Sequence, residues 1–338
     1  MNPFAAPPRL AKLTIEITTL CNLKCAGCPR TTAMAQGAWA DLHIPLVRFQ
    51  RILDHIPPTE FVTLHGIGEP TLHPQFTELV ALAKASGKFT RMKMTTNALS
   101  RTVEYYAQSV AAGLDEFWVS VDSLDQAIAD KVRFGTKVEK LEKQIGGCLA
   151  AGLPVHISMV VSAENYRDIP ATLMKLHALG RPPVHMQEFQ DFGNPYGLMN
   201  MAQRSEFLRG LGVVLPRIPG MKIIPPNFTR PKGDVCTAPW FRPGISVEGY
   251  LTPCCTTFDP DQFGRVSLVE LSFEQAWKQP GLLDWIKQFI RDETPICRGC
   301  GLNPRGFGTE VLLGRSGKSG METHVINPLN GRKEAVGK

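Results

Sequence analysis

The sequence contains no run of 18 apolar residues, and its opening stretch, MNPFAAPPRL, holds no apolar core. The first absence excludes a membrane-spanning helix and the second a secretory signal, so a cytoplasmic location is expected. There is no dense run of Lys or Arg. The net charge of +6 is scattered, with Arg315, Lys318, Arg332 and Lys333 near the end, and no basic stripe suited to nucleic acid forms. No internal repeat occurs, which sets aside solenoids and propellers. In a reducing compartment disulfides are rare, so the nine cysteines need another role.

What is present is core-forming material, since 43% of the 338 residues are hydrophobic, enough for one large domain and a small appendage. The cysteines fall into sets: Cys21, Cys25 and Cys28; Cys236, Cys254 and Cys255; Cys297 and Cys300. Cys148 stands alone beside Leu149 on an apolar helical face and reads as core.

Strand-like alternation at 12–18, 61–65, 89–95, 116–121, 155–161 and 184–189 is interleaved with helical spacing at 45–56, 74–86, 103–112, 137–151 and 169–178. That rhythm predicts a parallel sheet with helices outside, and ligand sites at the carboxyl ends of the strands. The first cysteine set and the turn Gly66-Ile67-Gly68-Glu69-Pro70 each follow a strand. After residue 192 the rhythm stops. The expected layout is an α/β domain over 1–192, a Pro- and Gly-rich bridge over 193–235 with a helix at 203–214, and a small α+β cysteine domain over 236–310. That last domain comprises a hairpin at 244–252, an amphipathic helix at 273–290 and the final Cys pair, and a tail follows over 311–338.

Three close thiolates can bind three irons of a cubane and leave the fourth open to a small molecule. The spacing alone also admits a zinc site, although zinc prefers four ligands, or a Cys25/Cys28 dithiol, which has no use for Cys21.

The stretch ITTLCNLKCAGCPR resembles the signature of the radical S-adenosylmethionine (SAM) superfamily. Gly68-Glu69-Pro70 resembles its GGEP turn, Thr95-Thr96-Asn97 the end of its next strand, and Ser120-Val121-Asp122 with Arg133 its SxD…R segment. The resemblance covers about residues 12–190. It implies a partial (β/α)6 TIM-type barrel with a [4Fe–4S] cluster on Cys21, Cys25 and Cys28. It also implies SAM contacts from Gly68, Glu69, Pro70, Thr96, Asn97, Ser120, Asp122 and Arg133. The side chains have the chemistry such contacts need. Glu69 can accept from an ammonium, Arg133 can pair with a carboxylate, and Ser120, Asp122 and Asn97 can hydrogen-bond a ribose diol. Read without the cysteine motif, Glu69 is a solvated turn carboxylate, Arg133 a surface cation and Asn97 a turn former. One departure stands out. The family usually has a bulky residue before the third cysteine, near the adenine, where this chain has Gly27, so adenine packing must come from elsewhere, from backbone or Val160.

The second set, Cys236, Cys254, Cys297 and Cys300, can saturate one metal, and a structural zinc site would look the same. The runs Gly249–Cys255 and Cys297–Cys300 resemble the SPASM/twitch extension of radical SAM enzymes. The cysteines are fewer than the seven of its double-cluster form, which implies one auxiliary [4Fe–4S] cluster on those four residues. Cys255 reads as a small buried residue, or else as a thiol facing substrate. His65, Gln187, Glu188 and Asp191 lie at strand ends where substrate contacts form.

The resemblance implies reductive cleavage of SAM to a 5′-deoxyadenosyl radical that takes hydrogen from a second substrate. A flavodoxin- or ferredoxin-type donor would supply the electron, and the auxiliary cluster could make the net reaction an oxidation. Cys21 lies too near the start for a preceding peptide-recognition domain, so a small sugar- or aminocyclitol-like substrate is the first expectation. A peptide or protein is the second. A zinc-binding protein without catalysis, or a redox dithiol protein, are the readings from other classes.

Overall fold

The computed structural model describes residues 4–7, 9–190, 197–228, 236–254, 257–291, 293–294 and 297, with two short strands at His324–Ile326 and Lys333–Ala335. The main alternation begins with β1 (Leu10–Ile15), β2 (Lys24–Cys25), α1 (Pro29–Ala35), α2 (Leu46–His55), β3 (Thr59–Leu64) and α3 (Phe76–Ala85). It continues through β4 (Phe89–Thr96), α4 (Val103–Ala111), β5 (Glu116–Ser120), α5 (Gln126–Val132), β6 (Arg133–Phe134) and α6 (Val138–Ala150). β7 (Val155–Val161), α7 (Ile169–Leu179), β8 (Val184–Glu188), α8 (Met201–Val214) and β9 (Ile223–Ile224) complete it. The later segment holds α9 (Ala238–Phe241), β10 (Gly244–Ile245), β11 (Leu251–Thr252), α10 (Phe273–Trp277) and α11 (Pro280–Ile290).

β1, β3, β4, β5, β7 and β8 lie side by side in that order, all parallel, and make the expected six-stranded partial barrel. Its curvature sorts residues by period two. In β7, Val155, Ile157, Met159 and Val161 are buried, while His156, Ser158 and Val160 between them are half-buried. Helices supply the matching apolar stripes, such as Phe49, Ile52 and Leu53 of α2 and Leu141, Ile145 and Cys148 of α6. Each such large side chain, fully buried, contributes roughly 1.5–3 kcal/mol. Cys148 is core, as its helical face required.

The opposite face is polar, unlike the packed lumen of a closed barrel. Lys93 of β4 stacks its ammonium 3.3 Å from the centroid of Trp118 of β5, whose ring lies parallel to His156 and against His185.

The sheet does not stop at β1. β10 adds to it in parallel, pairing Gly244 with Thr14 and Ile245 with Ile15, and β11 adds antiparallel to β10. The later segment therefore extends the barrel sheet as well as packing its own aromatic core of Phe263, Trp285 and Phe289. The helix expected over 273–290 is two helices: α10 ends at Trp277 and Pro280 opens α11, because proline lacks the N–H and the room that a continuous helix needs. Cys255, Cys300, Asp191 and most of the tail lie outside the described residues.

Candidate active site

The chain leaves β1 and enters the cysteine loop, where Cys21, Cys25 and Cys28 line one cavity of about 580 Å³ at the carboxyl ends of the barrel strands. The loop is fixed from behind by Arg30, whose Nε donates to Thr19 O at 3.1 Å and Nη1 to Leu23 O at 3.3 Å, with an ion pair to Asp41. Cys25 is held in the short β2–β6 ladder, where its Cα partner is Arg133. Cys28 caps α1, its carbonyl accepting from Thr31 N, with Pro29 opening the helix. Burial pushes the Cys21 thiol up to about 11 and raises Cys25 as well. Such thiols are poor free nucleophiles, but a bound cation inverts this preference and deprotonates them. Three sulfurs converging on one cavity, beside a cation, suit an iron–sulfur cluster that keeps one iron open. Among the described residues no three Cys, His, Asp or Glu side chains group as ligands of a single ion.

The turn after β3 is built against this loop. A Cβ on Gly68 would sit 2.3 Å from Thr18 O and 2.8 Å from Leu20 O, so only glycine allows the approach. Glu69 is buried and its carboxylate accepts four hydrogen bonds. Thr71 N, Thr71 Oγ1 and Thr96 Oγ1 donate to Oε1 at 3.1, 2.7 and 2.6 Å, and Asn97 N donates to Oε2 at 2.7 Å. The sequence alone presents Glu69 as an acceptor for a ligand ammonium; the structure shows it first as the clamp joining the turn to the end of β4, with room left on Oε2. Asn97 is also engaged, its Nδ2 donating to Asn22 Oδ1 of the cysteine loop at 2.8 Å and its Oδ1 accepting from Leu99 N. Pro70 is buried at the start of a one-turn helix and does not itself line the cavity, although Gly68 and Glu69 before it do.

Glu16, at the end of β1, escaped sequence reading. Its Oε1 accepts from Ile67 N in the same turn at 3.0 Å, and its Oε2 from Val247 N beyond β10 at 3.3 Å. Burial pushes its carboxyl up to about 7.

Gly68, Glu69, Thr96, Asn97, Ser120, Asp122, Arg133 and Val160 all line the cavity. Asp122 ties strand ends together: Oδ2 pairs with Arg133 Nη1 at 3.3 Å and Oδ1 accepts from Val160 N at 2.8 Å. Asn165, also missed, donates from Nδ2 to Asp122 O and Val160 O. Ser120 faces the cavity with no side-chain hydrogen bond to a described residue.

Gly27 leaves its space to a neighbour. A Cβ there would meet Phe189 Cε2 at 2.2 Å, so the ring following β8 occupies the volume beside the third cysteine. Both line the cavity. Phe189 thus fills the space beside Gly27 from 162 residues away, a complement that no local pattern reveals, and Val160 lines the same cavity. His65, Gln187 and Glu188 also line the cavity, and Glu188 is ion-paired with Arg204 Nη2 at 2.6 Å. Of the second cysteine set, Cys236, Cys254 and Cys297 are half-buried and packed against the core.

Comparison with known proteins agrees with this arrangement. The radical SAM superfamily model matches residues 15–176, and the SPASM iron–sulfur cluster-binding domain matches residues 236–301. The chain is 29% identical over 178 residues to the tungsten-containing aldehyde ferredoxin oxidoreductase cofactor-modifying protein of Pyrococcus furiosus, covering 50% of this chain and about half, 48%, of that protein. It is 23% identical over 314 residues to the PqqA peptide cyclase of Xanthomonas campestris pv. campestris, covering 87% and 80%. Among solved structures it resembles anSMEcpe with bound AdoMet, with TM-score 0.66, 15% identity and 89% and 95% coverage. It also resembles Streptococcus suis SuiB bound to its precursor peptide SuiA, with TM-score 0.65, 14% identity and 90% and 76% coverage. Both cysteine-bearing segments are thus matched by families that bind [4Fe–4S] clusters, the first also binding SAM, and the chain belongs to the radical SAM superfamily, with a C-terminal SPASM iron–sulfur domain.

Proposed function

We propose that this radical SAM enzyme modifies a peptide or protein. The observation that carries the reading is the relationship to PqqA peptide cyclase, which runs through barrel and SPASM segments alike, over 87% of this chain. The expectation of a sugar- or aminocyclitol-like substrate gives way to it. That expectation rests on the position of Cys21.

In this reading Cys21, Cys25 and Cys28 hold the SAM-binding cluster, and Cys236, Cys254, Cys297 and Cys300 hold the auxiliary one. When bound, the first cluster and SAM would supply one-electron chemistry for carbon–sulfur cleavage and hydrogen abstraction, with the electron from a flavodoxin- or ferredoxin-type donor. The chain's own residues bind and orient. Arg133, fixed by Asp122, would pair with the carboxylate of SAM, and Oε2 of Glu69 and the backbone at Gly68 would accept from its ammonium. Ser120 would hydrogen-bond the ribose, with Thr96 and Asn97 supporting the strand end, and Phe189 and Val160 would supply apolar surface for the adenine. The strand ends and the later segment wall the cavity and limit water around the reacting groups.

The test uses anaerobically reconstituted full-length enzyme with SAM and dithionite, to which a bacterial extract is added after separation into peptide-sized and metabolite-sized fractions. Release of 5′-deoxyadenosine should rise with the peptide-sized fraction and lose that rise after protease treatment. A rise that follows the metabolite fraction and survives proteolysis would sink the reading.

A further inference from the structure

The later segment reaches the cavity with two described residues, Arg242 and Phe258. Arg242 precedes β10, whose approach to β1 is set by Thr14 N donating to Pro243 O at 3.2 Å and by the pairing of Thr14 with Gly244. Lys12 lies two residues before Thr14 and Arg242 two before Gly244, and both line the cavity. Two cations are thereby set on neighbouring parts of one wall. Like charges so placed repel, and an anion seated near both relieves the repulsion.

The carboxylates that line the same cavity are engaged elsewhere and do not pair with Arg242. Glu69 already holds four donors, Asp122 is engaged by Arg133 and Val160 N, and Glu188 is paired with Arg204. The guanidinium of Arg242 makes no hydrogen bond or ion pair with a described residue. The charge of Lys12 is felt in the lumen below, where burial, then Lys12 and then Lys93 push His65 down to about 3, and burial and then Lys12 push Lys93 down to about 7.

We propose that the substrate carries a carboxylate, seated by Arg242 together with Lys12, while the Phe258 ring covers the methylenes next to it. The proposal rests on the peptide reading above, in which this carboxylate is the side chain of an Asp or Glu close to the residue that reacts. Arginine is well shaped for such a seat because its planar fork can hold both oxygens at once.

The test is calorimetric titration into reconstituted full-length enzyme holding SAM. The probes are glutarate, its neutral diamide, and two amidated seven-residue peptides that differ only in a central Glu or Gln. The acid probes should bind at least about tenfold more tightly than their amides, the difference expected of a charge-assisted pair. Arg242→Ala and Arg242→Gln should each erase that ratio, and Arg242→Lys should restore part of it. Iron content and melting temperature report whether each variant folds. If the acids gain nothing over the amides, or if the ratio survives in a folded Arg242→Ala or Arg242→Gln variant, the proposal is overturned. Glutarate bound through Arg242 with neither peptide bound would keep the anion seat and instead count against a peptide substrate. A C-terminal carboxylate as the source would show as tight binding of the Gln peptide in its free-acid form alone.

Discussion

Gly27 and Gly68 both need the absence of a side chain, yet they face neighbours of different stiffness. At Gly68 the obstacles are the backbone carbonyls of Thr18 and Leu20, which cannot move without moving the cysteine loop. At Gly27 the obstacle is the edge of the Phe189 ring, which can swing. Gly68→Ala should therefore destabilise by roughly 2–3 kcal/mol and reduce iron loading, while Gly27→Ala should cost about 1 kcal/mol or less. Melting curves and iron counts distinguish the two. Gly27→Ala should also weaken SAM binding, by displacing the ring, and Phe189→Ala in the same chain should remove the stability cost. Glu69→Gln places an amide donor among four donors and should cost about 2 kcal/mol, read by chemical denaturation. The importance of Glu69 was legible in the sequence, but its clamping role was not, because its donors come from Thr71, Thr96 and Asn97 on two separate strand ends.

At the level of elements, the long periodic strands and helices could be read directly, since alternation and helical spacing are local properties. β2 and β6 could not, because two residues carry no period, yet their ladder puts Arg133 opposite Cys25. α1 and α5 escaped for a similar reason, being two turns each beside a motif that drew the reading elsewhere. Glu16 couples the turn after β3 to the hairpin of β10 and β11, and its protonation gives that joint a pH dependence. Its folded value, about 7, lies above the ordinary 4.5. Between those limits the folded chain holds a proton that the unfolded chain has released, so stability from this group is present at low pH and is lost as pH rises through about 7. The total is on the order of 3 kcal/mol. Melting of the wild type should fall between pH 5 and pH 7 and level off above that, and Glu16→Gln should flatten that fall; equal slopes in both proteins would contradict the assignment.

Across the whole molecule, the sixfold alternation announced a barrel, but nothing local announced that β10 docks on β1. The contact joins segments as far apart as Glu16 and Val247, 231 residues, and two-residue strands with a Gly in one of them leave no pattern to detect. The docking has a cost when removed. Thr14 N and Glu16 N donate to Pro243 O and Ile245 O, so a chain ending before Cys236 leaves one edge of β1 open for pairing with other molecules. Such a truncation should elute as aggregate in size-exclusion chromatography, whereas in the full chain both amides should exchange slowly with deuterium.

Because β1 carries the cysteine loop at its tip and β10 along its flank, it acts as a common mast for both cysteine-bearing ends of the molecule. Insertions between residues 197 and 228 can drift in evolution without altering how far apart those ends stand. Slippage of β10 by a single position would instead displace Arg242, two residues before it, along the cavity wall relative to Lys12, so under the proposed anion seat substrate choice and sheet alignment are inherited together.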